Sequence, residues 1–213
     1  MDNSTIVAIA TANGIGSISI VRVSGELALE IATKISKKDT FTPRYATLSY
    51  LYNTSNEIID EALVLYFKAP FSFTGEDIIE FQCHGGVAIA NIIVDEVLKL
   101  GARIANPGEF SKRAFLNNKI DLSKAEAISK IIEARSEDAV KLLARQLKGE
   151  LVNFVNEIRE DLLFMLAYTE VSIDYAEEDL PTDIFEQINK KMEKIVEKLE
   201  NTLEASQRRE GMI

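Results

Sequence analysis

The sequence predicts an α+β domain built on a mixed sheet, followed by an all-α helical segment. Two patterns carry this: residues 1–119 hold short apolar runs with period-two alternation, separated by Gly- and Asn-containing turns, whereas residues 120–213 hold apolar residues spaced by three and four. A capping-box sequence at the junction, Ser123-Lys-Ala-Glu126, marks the change of regime.

The elements follow in order. A strand is expected over residues 6–10, a turn over 13–16, a second strand over 17–23 and a helix over 26–35. Further strands are expected over 45–52 and 58–67, and the turn Asn53-Thr-Ser-Asn56 between them predicts an antiparallel hairpin. Residues 77–83 alternate, with Ile79, Phe81 and Cys83 on one face and Ile78, Glu80 and Gln82 on the other. A helix over 87–100 ends at Gly101. Ser123 is read as the N-cap of the next helix, with Glu126 reaching back to its amide. Leu143, Leu147, Leu151, Phe154, Ile158, Leu162 and Met165 form one stripe and predict a single long helix. After an acidic turn over 174–179, Pro181 and Asp183 start another helix striped by Ile184, Ile188, Met192, Ile195, Leu199 and Leu203. The two should pack antiparallel.

Composition bounds the function. With 46% hydrophobic residues in 213, each half can bury a modest core. No run reaches the roughly 18 apolar residues of a membrane span, and the first 20 residues lack a signal-peptide pattern, so a cytoplasmic location is expected. The charge is −10, of which residues 121–213 carry −8, and no Lys/Arg stripe offers the footprint of a nucleic-acid binder. One cysteine excludes an internal disulfide, and Cys83 with His84 supplies too few ligands for a metal cage, so no metal site is assigned.

Two phosphate-binding readings fail. Gly14 and Gly16 lead into a strand rather than a helix, so no helix amino terminus follows them to hold a pyrophosphate. No G-x-x-x-x-G-K-[ST] occurs, so no P-loop for GTP is present and no GTP hydrolysis is expected of these residues. What stands out is Glu80, a carboxylate in mid-strand between apolar neighbours, which needs an Arg, a Lys or a ligand donor. Glu76, Asp77 and Glu109 are read as serving turns and caps.

The ordered motifs TIVAIAT, SIVRVSG, SFTGEDIIEFQCHGG and NPGEFSKRAFLNNKIDLSKAEAI resemble the amino-terminal part of tRNA modification GTPases of the MnmE (TrmE) family, and the likeness runs more loosely through the helices. The resemblance implies a tetrahydrofolate-binding and dimerisation domain over 1–119, similar to glycine-cleavage aminomethyltransferase, and the first part of a central helical domain over 120–213. It carries the family's folate contacts onto Arg22, Glu80 and Lys119, and assigns no catalytic residue. A pterin edge offers adjacent N–H donors that suit Glu80, and glutamyl carboxylates suit Arg22 and Lys119. For the whole protein it implies a homodimer working with the flavoprotein MnmG, which brings FAD, to add an aminomethyl-type (carboxymethylaminomethyl) group to carbon five of a tRNA wobble uridine. The carbon would come from a methylene or formyl tetrahydrofolate. GTP, magnesium and potassium would belong to a G domain absent from these residues, and tRNA would be gripped largely elsewhere.

Departures from the family pattern are Ala12-Asn13 and Gly16-Ser17 in the first loop and Asn106 before PGEF. Two rival readings stand beside this one. The first is a glycine-cleavage-type aminomethyltransferase. The second is a non-catalytic dimerisation scaffold in which Arg22 and Glu80 pair only with each other.

Overall fold

The computed structural model describes residues 4–12, 14–174 and 184–210. A six-stranded sheet of order β3-β4-β5-β2-β1-β6 dominates the first half. Its strands are β1 (Ile6–Ile9), β2 (Ile18–Ser24), β3 (Thr47–Tyr52), β4 (Ile58–Phe67), β5 (Ile78–His84) and β6 (Arg103–Ile104). The β1–β6 pair is parallel and the other pairs are antiparallel, so the sheet is mixed, as the sequence predicts. The expected hairpin is β3–β4.

Alternation along the strands decides which face is the core. Val21 and Val23 of β2, with Ile79, Phe81 and Cys83 of β5, pack against helix α1 (Ala28–Ser36) through Ile31 and Ile35 and against α2 (Val87–Lys99) through Ile93 and Val97. The residues between them, Arg22, Ser24, Glu80 and Gln82, must then face the other way. That second face carries a row from Ala8 through Arg22 and Glu80 to Leu65, paired directly across β1, β2, β5 and β4.

Helices α3 (Glu109–Leu116) and α4 (Leu122–Glu133) complete the first compact unit, residues 1–134. α4 begins earlier than the capping-box reading has it. Asp121, not Ser123, is the N-cap: its backbone is extended and its carboxylate accepts the Lys124 N–H at 2.8 Å. Asp caps as well as Ser and adds a charge that the helix amino terminus favours.

Residues 135–213 form the second unit. The stripe from Leu143 to Met165 is not one helix but two, α5 (Glu137–Leu147) and α6 (Glu150–Asp174). The chain turns at Gly149, whose φ of 81° ends α5 in the left-handed conformation that glycine adopts without strain. Hydrophobic spacing alone does not register such a turn, because the three-and-four pattern resumes beyond it. Helix α7 (Ile184–Glu210) runs antiparallel to α6, as expected: Lys191 pairs with Asp161 and Lys198 with Glu157, so numbers rise on one helix as they fall on the other. Met165 and Ile195 are buried in this unit. The acidic turn expected beyond Asp174 and the helix start expected at Pro181 and Asp183 lie outside the described residues.

Candidate functional site

Arg22 and Glu80 face each other across β2 and β5, and they are bonded to each other. Arg22 Nε and Nη2 lie 2.8 and 2.7 Å from the same oxygen, Glu80 Oε1. Glu80 Oε2 has no hydrogen-bond partner among the described residues. The Glu80 side chain is 13% exposed and that of Arg22 30%. The guanidinium carbon lies 5.9 Å from the Phe73 ring centre and 5.7 Å from that of Phe110. The pair therefore sits beside two aromatic faces, with one acceptor unused.

Lys119 is not part of this pair. It lies over Gly75, where an added Cβ would come within 2.9 Å of its Cε. Together with Gly25, Glu26, Pro70 and Asp77, both line a cleft of about 530 Å³, a volume within the range of small-molecule sites. Arg22 and Glu80 do not line it, so two of the three residues come together directly and the third stands apart.

Between the two lies the segment 72–77, tied down by its even-numbered side chains. The Ser72 hydroxyl donates to the Glu76 carbonyl. Ser24 donates to Glu76 Oε2 at 2.7 Å, so its one proton is used, and the Thr74 hydroxyl at 2.7 Å must donate to Ser24. Asn117 Nδ2 donates to the Thr74 carbonyl at 2.7 Å. Glu76 receives Arg113 Nη1 on both oxygens at 3.1 Å, and Arg113 Nη2 donates to the Ser4 carbonyl at 2.8 Å and to Glu109 Oε1 at 3.1 Å. Arg103 in turn grips Glu109 with two bonds, at 2.6 and 2.8 Å.

Glu109 closes the turn that leads into α3, accepting the Asn106 N–H at 2.8 Å, and Asp77 serves a turn, accepting the Ala69 N–H at 2.7 Å. Glu76 does more than hold a turn, since it joins β2 to α3. Hydrogen bonds from Arg103 are the main cause holding the Glu109 carboxyl down at about 2, against the opposing effect of burial.

Cys83 is buried and donates weakly to the Ser19 carbonyl at 3.4 Å. Burial, and then the Asp60 charge, push its thiol up, which suits a structural residue. His84 bonds Asp60 Oδ1 through Nδ1 at 2.7 Å. Among the described residues no group of three potential ligands could hold a metal, and no helix is long and apolar enough to cross a membrane.

Sequence reasoning missed Arg113, Phe73 and Phe110. An i,i+4 Glu109–Arg113 pair was available as a signal for the first. Nothing local marks a phenylalanine as lying beside an arginine fifty or more residues away.

Comparison with known proteins agrees with the motifs. The family model described as GTP-binding protein TrmE N-terminus matches residues 5–119, and the MnmE helical domain model matches 122–213. The chain is 83% identical over 212 residues to the tRNA modification GTPase MnmE of Aliarcobacter butzleri, and 61% identical over 213 residues to that of Sulfurimonas denitrificans. Both alignments cover 100% of this chain and 48% of the relative, so the chain spans about half the length of the curated relatives it matches. With both of its halves matched in order and at this identity, the chain belongs to the MnmE (TrmE) family of tRNA modification GTPases.

Proposed function

We propose that this chain is the folate-binding and dimerising part of a tRNA modification GTPase. The observation that carries the reading is Glu80 Oε2, an acceptor without a partner on a largely buried carboxylate whose other oxygen is fixed by Arg22. Fixing one oxygen aims the other without the entropy cost of ordering it on binding. Glu80 would accept ring N–H donors of a reduced folate through Oε2. Bidentate acceptance would require Arg22 to share or release Oε1.

Arg22 and Lys119 are the cations that would meet folate carboxylates, and Lys119 is the cleft's one cation among its described lining residues. Phe73 and Phe110 offer apolar faces at the Arg22 end. When bound, the one-carbon folate supplies the methylene carbon for the uridine. What these residues do is hold it, orient its ring edge and screen that edge from water.

The wider reading rests on the family. The whole protein would modify wobble uridines together with the flavoprotein MnmG and its FAD, with GTP, magnesium and potassium bound beyond these residues and tRNA gripped largely elsewhere. A homodimer fits the exposed apolar face of β3 and β4, and a cytoplasmic location fits the substrate.

The scaffold reading has its own support, because Arg22 and Glu80 do satisfy each other in part. Calorimetric titration with formyl-tetrahydrofolate separates the two. Saturable binding at one ligand per chain is expected, with GTP as a control that should neither bind nor be hydrolysed. No heat of folate binding would leave the scaffold reading standing.

A further inference from the structure

We infer that Arg113 is the positioning residue of the folate site, acting through Glu76 to set the segment 72–77 that joins the site's two halves. This rests on the folate reading given above. The segment's side chains divide by parity. Thr74 and Glu76 turn into the Ser24–Arg113 network, Ser72 closes back on the Glu76 carbonyl, and Thr74 and Ser24 are completely buried. Phe73 and Gly75 are left to the site: the Phe73 ring lies by Arg22, and Gly75 lies against Lys119. Whatever fixes the even positions therefore fixes where the odd ones stand.

Arg113 is suited to that task by placement and by chemistry. It is 6% exposed, and its planar fork spans three acceptors on three separate stretches of chain, Glu76, Glu109 and the Ser4 carbonyl. A lysine, with one ammonium, cannot span all three in the same plane. Neighbouring Phe110, on the same helix, is the second ring beside Arg22, so a shift of α3 would move both aromatic faces. Arg103 holds Glu109 from its far side and keeps that carboxylate aimed at Arg113. Arg113 itself does not line the cleft, although its partner Glu76 does. The network's effect is to hold Phe73 and Lys119 in register with Glu80, which is where a displacement of an ångström would be felt.

The test uses Arg113→Lys, which keeps the buried positive charge, with Arg113→Met as the harsher variant. Amide hydrogen exchange comes first and needs no ligand: the Glu76 amide, which bonds Thr74 Oγ1, should exchange about tenfold faster in Arg113→Lys, with β5 unchanged. Unchanged protection in the segment would overturn the inference. Formyl-tetrahydrofolate affinity should then fall about tenfold. That loss should largely disappear in a Phe73→Ala, Lys119→Ala background, because the groups being positioned are gone. A loss of equal size in both backgrounds would mean that Arg113 acts only through general stability, and would also overturn it. If the wild-type chain binds no folate while exchange changes as expected, the folate reading fails, and with it Arg113's role in that site, although its hold on the segment stands.

Discussion

Arg22 on β2 and Glu80 on β5 are directly opposed in the antiparallel ladder, and two of the three guanidinium nitrogens, Nε and Nη2, converge on a single carboxylate oxygen. A pair satisfied for structural purposes alone would more often use both oxygens, the fork-to-fork arrangement that Arg and carboxylate favour. Here one oxygen is left without a protein partner among the described residues. The sequence marks Glu80 as a carboxylate needing a partner, and the structure adds that the partner takes only half of it.

Glu109 should make folding pH-dependent. Its carboxyl sits at about 2 in the folded chain against 4.5 when unperturbed, chiefly because Arg103 bonds its charged form. A depressed folded value gives stability that is fully present above about 4.5 and is lost as pH falls toward 2. Chemical denaturation between pH 6 and pH 2 should show this loss, and Glu109→Gln should flatten that part of the profile. A profile unaltered by the substitution would show that the Arg103 and Arg113 bonds are not maintained in solution.

Gly85 should not tolerate a side chain. A Cβ there would lie 2.2 Å from the Gly16 carbonyl oxygen and 2.6 Å from the Ile18 amide nitrogen, all backbone, so the 14–18 loop would have to move. The loop and Gly85 are joined by Gly16 N–H to Gly85 C=O at 3.0 Å and Gly85 N–H to Ser17 C=O at 3.1 Å. Gly85→Ala should cost about 2–3 kcal/mol in denaturant unfolding. A cost within about 0.5 kcal/mol of zero would mean the loop is not held against β5.

The sheet edge should be where two copies meet. Leu48 of β3 lies opposite Leu63 of β4, the two are 57% and 38% exposed, and β3 has no neighbour on its outer side among the described residues. Tyr50 and Ile58 are exposed nearby. Such an apolar edge needs cover, and a twofold pairing presents the same patch from each copy. Light scattering should give a dimer for the chain at tens of micromolar and a monomer for Leu48→Arg with Leu63→Arg. A dimer unaffected by the double substitution would move the interface elsewhere.

The sheet was legible because alternation is a local property: the placing of Glu80 opposite Ile79 and Phe81, and the β3–β4 hairpin, both follow from it. The helix boundaries were less so. Asp121 outcompeted Ser123 because two residues within one turn could each cap, and Gly149 interrupted a stripe whose spacing continues past it. The Arg22–Glu80 pair was one of two outcomes that the residue types allowed. Least legible was the Arg113 network, since it joins residues 4, 24, 76 and 109 and depends on α3 lying beside Ser4 and Glu76, which no short window of sequence contains.

The most direct test of the central claim, that Glu80 serves both Arg22 and a folate, is calorimetric titration of formyl-tetrahydrofolate into the wild-type chain and into Glu80→Ala. The account predicts saturable binding to the wild type and a loss of at least about 1.5 kcal/mol in the variant, because a charged acceptor is removed from the ring edge. Equal affinity in a folded Glu80→Ala chain would contradict it and leave Glu80 as a partner of Arg22 alone.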